Sequence, residues 1–172
     1  MFNFIQAVRQ SILTKNWYAA LLITLTLPDI CSKLEFPSII TSKRYIDWFN
    51  KYMLKKYSSK VEHNFRLHVF LSGNDCYALR CSFLHEGNDI IQDQCAHQSL
   101  ESFYFLAPND RLRAHRNQSN NKLQLQVDIF CEDMCLAVEE WIKEISSVKP
   151  EVLKEFDNLL KVHTIEDGPI AF

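Results

Sequence analysis

The sequence predicts a mainly α chain organised as one domain, and three observations carry that expectation. Only three glycines and five prolines occur in 172 residues, too few for a many-turned sandwich or barrel. Apolar residues recur at helical spacing over several long segments. Hydrophobic residues make up 47% and charged residues 23%, a balance that suits a globular chain with a single core. One domain is expected over residues 1–165, with a small antiparallel β-hairpin inserted at about 102–128 and a tail at 166–172.

The first half reads almost entirely as helix. Residues 3–14 place Phe4, Ile5, Val8 and Ile12 on one stripe. Asn16 is suited to cap the next helix, Trp17 to Leu27, which is apolar nearly all round and therefore central. Pro28 is expected to end it, leaving 28–41 as a connection with one helical turn. Thr41 or Ser42 opens the clearest helix, with Tyr45, Trp48, Phe49, Tyr52 and Met53 at i, i+3, i+4, i+7 and i+8. That aromatic stripe reads as core rather than as a base-stacking platform. Lys51 and Lys55 share a different, wet face.

The second half is mixed. The run Leu67 to Leu71 is apolar but too short to assign by period. Ser72-Gly73-Asn74-Asp75 signals a helix start, with Asp75 as the expected cap. That helix runs through Arg80 to His85, and Gly87 suits the left-handed residue after its last turn. Residues 88–98 are polar, with room for a short helix. Ser102 to Ala107 is aromatic and β-prone, and Leu123, Leu125 and Val127 alternate with polar residues. The polar, basic stretch 108–121 between them fits the long exposed loop of a hairpin. Helix then returns with Met134, Val138, Trp141, Ile142 and Ile145 on one face. Pro150 suits the first turn of a last helix that points Val152, Phe156, Leu159 and Leu160 inward.

The net charge of -2 supplies no global field for nucleic acid, but the distribution is uneven. Residues 43–66 carry a balance of +5 and residues 128–172 a balance of -7. A basic working face opposite an acidic remote one is one reading, and solvated charge runs are the other. Six cysteines stand at 31, 76, 81, 95, 131 and 135. Reduced, mostly buried thiols are expected in a chain with a sizeable core. The apolar segment 17–27 is far short of the roughly 20 residues of a spanning helix. No small-residue cleavage site follows it, so a cytoplasmic protein without a membrane segment is expected.

The chemistry concentrates in Arg80-Cys-Ser-Phe-Leu-His85-Glu-Gly87. Arginine is a permanent cation whose fork fits a phosphate. Histidine takes and gives a proton near neutrality. A permanent cation and a titratable ring at the end of an apolar helix suit chemistry on a phosphodiester. Five residues advance a helix by about 500°, leaving the two side chains roughly 140° apart. A second copy of the helix across a two-fold axis is therefore expected to complete the site.

An Arg-x4-His pair at the end of an apolar helix, in a small mostly helical chain, resembles the HEPN superfamily. The signature is Arg, four to six residues, then His, here Arg80 and His85 with Gly87 shortly after. The chain departs from it in Cys81, where a polar residue is usual, and in Glu86 between histidine and glycine. The chain as a whole also looks like small bacterial HEPN-like proteins, a likeness that carries no mechanism. The resemblance implies a HEPN-like helical bundle and a homodimeric endoribonuclease needing no metal or other cofactor. It implies attack by a 2′-hydroxyl, with His85 moving the proton and Arg80 on the phosphate. It also implies a toxin or phage-defence setting, with RNA as substrate and an antitoxin or defence protein as partner. Lys51, Lys55, Arg111, Arg113 and Arg116 are then the candidate contacts to the RNA backbone, with His115 in the same loop.

Three rival readings use the same residues. HEPN-like domains also serve as catalytically silent interaction or nucleotide-binding modules. Cys81 with His85 and Cys131 with Cys135 repeat an i, i+4 spacing that two facing helices turn into a zinc set, although Cys-x2-Cys knuckles are missing. Cys81 and His85 also have the spacing of a thiolate–imidazolium pair, with nothing nearby resembling an oxyanion site.

Overall fold

The computed structural model describes residues 1–60, 67–111 and 113–163. The expected tail at 166–172, and Glu62 and Arg66 of the basic stretch, lie outside the described residues.

Among the described residues the architecture is mainly α, with two small sheets. Helix α1 (Phe2–Leu13) buries Ile5 and Val8, and its Arg9 reaches Glu132 and Glu139 at 2.7 Å each. Asn16 caps helix α2 (Trp17–Glu35) by accepting from the Ala19 amide. Pro28 does not end α2, which continues through it for nearly two more turns. The proline removes one internal hydrogen bond, but the segment beyond it buries Cys31 and Ser32. Its last residue, Glu35, accepts from Trp141 Nε1 and Lys149 Nζ, both at 2.9 Å. Tertiary packing thus overrides the local break, and residues 28–35 are helix rather than connection.

Helix α3 (Thr41–Tyr52) buries Tyr45, Trp48 and Phe49, so its aromatic stripe is core. Tyr45 Oη donates to the Leu25 carbonyl. Strands β1 (Ser58–Lys60) and β2 (Leu67–Val69) pair antiparallel, which assigns the run the periodicity left open. Helix α4 (Gly73–Glu86) is capped by Ser72, whose Oγ accepts from the Asp75 amide. Asp75 is therefore not the cap. Its carboxylate is fully buried and accepts from Ser72 Oγ, from Ser99 Oγ and from the amides of Gln98, Ser99 and Leu100. It ties the irregular segment 88–101, which forms no helix, to the start of α4. Gly87 closes α4 at φ +66°, in the left-handed region.

The inserted β element differs from the expected hairpin. Strands β3 (Ser102–Leu106) and β5 (Lys122–Gln126) pair parallel, and β4 (Asn117–Ser119) pairs antiparallel with β5. The tight turn is at Asn120 (φ 52°) and Asn121, so the hairpin spans 117–126 and β3 joins its other edge. Alternation in sequence marks a half-buried strand but does not fix strand direction. Val127 begins helix α5 (Val127–Val148), which buries Phe130, Met134, Val138, Trp141 and Ile145. The last helix is short: α6 (Glu151–Lys154) followed by a 3-10 turn over Glu155–Asn158. Val152 is buried, but Leu160 is 79% exposed and not inward.

The two charged stretches face each other. Lys51 pairs with Glu144 at 2.5 Å and Lys56 with Asp133 at 2.9 Å, linking the end of α3 and the turn after it to α5. Glu144 and Asp133 of the acidic stretch thus lie against the basic one, while Glu132 and Glu139 pair with Arg9. Among the described residues, no helix is long and apolar enough to cross a membrane.

Candidate functional site

Arg80 and His85 meet within one chain. Arg80 Nη1 donates to His85 Nε2 at 3.2 Å. The 140° separation on an ideal helix does not keep them apart, because the arginine stem is long and the helix ends at Gly87. Arginine has no acceptor, so in this arrangement His85 Nε2 is the accepting nitrogen and the ring proton sits on Nδ1. His85 is exposed, and Arg80 is half-buried.

A third residue completes the group. Arg80 Nε donates to Asp29 Oδ2 at 2.8 Å, across the contact of α4 with α2. The side chains of Arg80 and Asp29 are 20% and 14% exposed, so this pair is screened far less than a surface ion pair. Burial weighs against the Arg80 charge, but Asp29 outweighs it and holds the guanidinium above its usual range. Asp29 Oδ1 is buried with no hydrogen-bond partner among the described residues. Sequence reasoning misses Asp29 because Pro28 reads as a helix end and places its neighbour in a connection. The available signal is the spacing of Asp29 from Leu22 and Leu25, which keeps it on the stripe of a continuing helix.

Around this line lie Tyr77 and Cys81. Burial and the neighbouring Cys81 raise the Tyr77 hydroxyl above its ordinary range. Tyr45 packs edge-on against Tyr77 with ring centroids 5.2 Å apart. Glu86 is exposed and accepts from Gln94 Nε2 at 2.8 Å, a surface role. Cys131 and Cys135 are buried in α5, where burial pushes each thiol up to about 12. Among the described residues, no group of three or more His, Cys, Asp or Glu side chains is placed to hold a metal. The paired-cysteine zinc set does not assemble.

The expected RNA-backbone residues divide. Lys51 is committed to Glu144, whose second oxygen accepts from Tyr52. Lys55 is exposed in the turn after α3. Arg111 and Arg113 are exposed, and Arg116 sits at φ 57° with its Nη1 donating to the Lys56 carbonyl. His115 does not belong to that surface. Its side chain is 5% exposed, its Nδ1 accepts from the Gln126 amide, and its Nε2 meets Tyr57 Oη at 3.2 Å. Tyr57 in turn donates to Asp133. Burial, reinforced by Arg116 and Arg113 against the opposing Asp133, lowers the His115 pKa to about 4. The basic loop is thereby fastened to α5 through a neutral imidazole.

Beside the triad, a groove of about 450 Å³ opens between the start of α2, the end of α4 and β3. Phe83 and Gly87 form part of its wall, whereas Arg80 and His85 do not line it.

Compared with known proteins, the chain matches no family model, no curated protein and no solved structure.

Proposed function

We propose that this protein is a HEPN-like, metal-independent endoribonuclease, with Arg80 and His85 as catalytic residues and Asp29 as a positioning residue. The observation that carries the reading is the 3.2 Å contact between a guanidinium and an imidazole at an accessible helix end. Asp29 fixes Arg80 through Nε, so a phosphate would engage the terminal nitrogens of the fork, of which Nη1 donates to His85.

In this reading the free site is self-capped. A scissile phosphate competes for Arg80 Nη1 and so releases the Nε2 lone pair of His85. The imidazole then takes the proton of the ribose 2′-hydroxyl. The 2′-oxygen attacks phosphorus, the bond to the 5′-oxygen breaks, and the leaving oxygen is protonated. The products are a 2′,3′-cyclic phosphate and a 5′-hydroxyl. Arg80 stabilises the charge that builds on the phosphoryl oxygens.

Beside Arg80 one chain offers a single imidazole, that of His85, while in-line transfer uses a base at one end and an acid at the other. A homodimer that brings the His85 of a second copy to the leaving oxygen supplies both. The toxin or defence setting belongs to the same reading, since unspecific RNA cleavage arrests growth.

A silent interaction or nucleotide-binding module is the second reading. It is favoured by the Arg80 charge being already matched by Asp29 and the base nitrogen of His85 being already occupied. The test is an RNA with one 2′-deoxy linkage among ribose linkages. Cutting that spares only the deoxy linkage and leaves cyclic phosphate ends supports cleavage. Binding without cutting supports the silent module.

A further inference from the structure

The groove beside Arg80 is walled by aromatic rings from three elements: Trp17 and Tyr18 of α2, Phe83 of α4, and Tyr104 and Phe105 of β3. Tyr18 is 75% exposed and Tyr104 56% exposed, so both rings present open surface along the groove. Its volume of about 450 Å³ falls within the range of small-ligand sites.

The groove and the Arg80 line lie along one helix seam. Arg80, Phe83 and Gly87 are spaced i, i+3 and i+7, and so share a stripe of α4. Tyr18, Leu22 and Asp29 are spaced i, i+4 and i+11, and share a stripe of α2. The seam is closed at one end by the Asp29–Arg80 pair and opens at the other into the groove. Arg80 is about 4.5 Å along the helix axis from Phe83.

We infer that this groove is a base-binding subsite, which stacks one unpaired nucleobase of an RNA strand whose phosphate lies on Arg80. The inference rests on the ribonuclease reading and names how that site holds its substrate. Aromatic faces suit a base, and single-stranded RNA presents unstacked bases to such rings. The rim decides orientation. Asp89 lines the groove and is exposed, so its carboxylate disfavours a phosphate there and suits an uncharged base in the groove with the backbone outside. Asn88 uses its Oδ1 to accept from the Ile90 amide, which leaves its NH2 to donate to a base edge. On the outer face of β3, Tyr104 stands opposite Gln124, with Lys122 beside it, a position for the next phosphate of the strand.

Trp17 gives the readout, because Trp48 and Trp141 are 3% and 0% exposed. The probe is a short 2′-O-methyl RNA, which lacks the attacking hydroxyl and separates binding from cleavage. It is compared with an abasic strand of the same length. The RNA is expected to quench Trp17 and the abasic strand not to, with the quench absent in Trp17→Phe. Tyr18→Ala and Tyr104→Ala are each expected to weaken binding at least about fivefold, and Tyr104→Phe to restore it. Unchanged affinity in both alanine variants overturns the subsite, as does equal quenching by the abasic strand. A change of oligomeric state in those variants also overturns it, by marking the groove as a contact between copies. If the wild-type protein leaves RNA uncut but binding follows the expected pattern, the subsite stands and the cleavage reading fails. If it cuts RNA and the tyrosine variants cut with unaltered KM, the subsite fails and cleavage stands.

Discussion

Asp29 Oδ2 accepts from Arg80 Nε at 2.8 Å, joining the middle of α4 to a turn of α2 that lies beyond a proline. This pair fixes the guanidinium of Arg80 through its Nε. Asp29→Asn keeps the shape but removes the charge. It is expected to lower kcat more than tenfold if Arg80 positioning supports the transition state, and Asp29→Glu to recover part of the loss. Thermal unfolding should fall by about 1–3 kcal/mol, since the bond is charge-assisted and mostly shielded. Unchanged RNA cleavage with reduced stability would assign Asp29 to the fold alone.

His115 makes stability depend on pH. Its imidazole is neutral in the fold down to about pH 4, against an ordinary value of 6.5. Between those values the unfolded chain binds a proton that the folded chain does not. Stability is therefore complete above about 6.5 and falls as pH drops toward about 4, by about 3 kcal/mol. Urea unfolding across this window should show the slope in the wild type and lose it in His115→Gln. A wild-type profile without that slope would contradict the buried, neutral assignment.

Asp75 anchors the segment that precedes β3. Removing the carboxylate in Asp75→Ala strands the amides of Gln98, Ser99 and Leu100. The expected cost is about 3 kcal/mol or more. Limited proteolysis should then cut within 88–101, where the wild type resists. Equal resistance would show that other contacts hold the segment.

Gly73 allows α4 to approach α3. A Cβ there would stand 2.6 Å from the Ile46 carbonyl oxygen and 2.9 Å from Asn50 Oδ1. The Asn50 oxygen also accepts from the Gly73 amide. Gly73→Ala is expected to cost about 1–3 kcal/mol through overpacking against backbone, read as a lower denaturation midpoint. An unchanged midpoint would mean the two helices separate without penalty.

Much of the helical layer was legible in the sequence because it follows from period and capping. Asn16, the stripe from Tyr45 to Phe49 and Gly87 all occupy the places their chemistry indicates. What was not legible depends on partners distant in sequence. Pro28 marks a break locally, but Glu35 is held by Trp141 and Lys149 from more than a hundred residues away. The strand segments were recognisable, but alternation did not give their directions: β4 takes one edge of β5 antiparallel and β3 the other edge parallel. The motif showed Arg80 and His85, while Asp29 came into view only once α2 was seen to continue. His115 shared a basic loop with three arginines, yet its burial follows from Tyr57 and the Gln126 amide. Sequence neighbours did not predict which side chains turn inward.

The most direct measurement is incubation of purified protein with mixed RNA in EDTA, alongside Arg80→Ala and His85→Ala. The account predicts metal-independent cutting of RNA but not DNA by the wild type, reduced at least a hundredfold in both variants, on the order of the loss of a catalytic acid–base group. Equal cutting by wild type and variants, or none by the wild type, would contradict it.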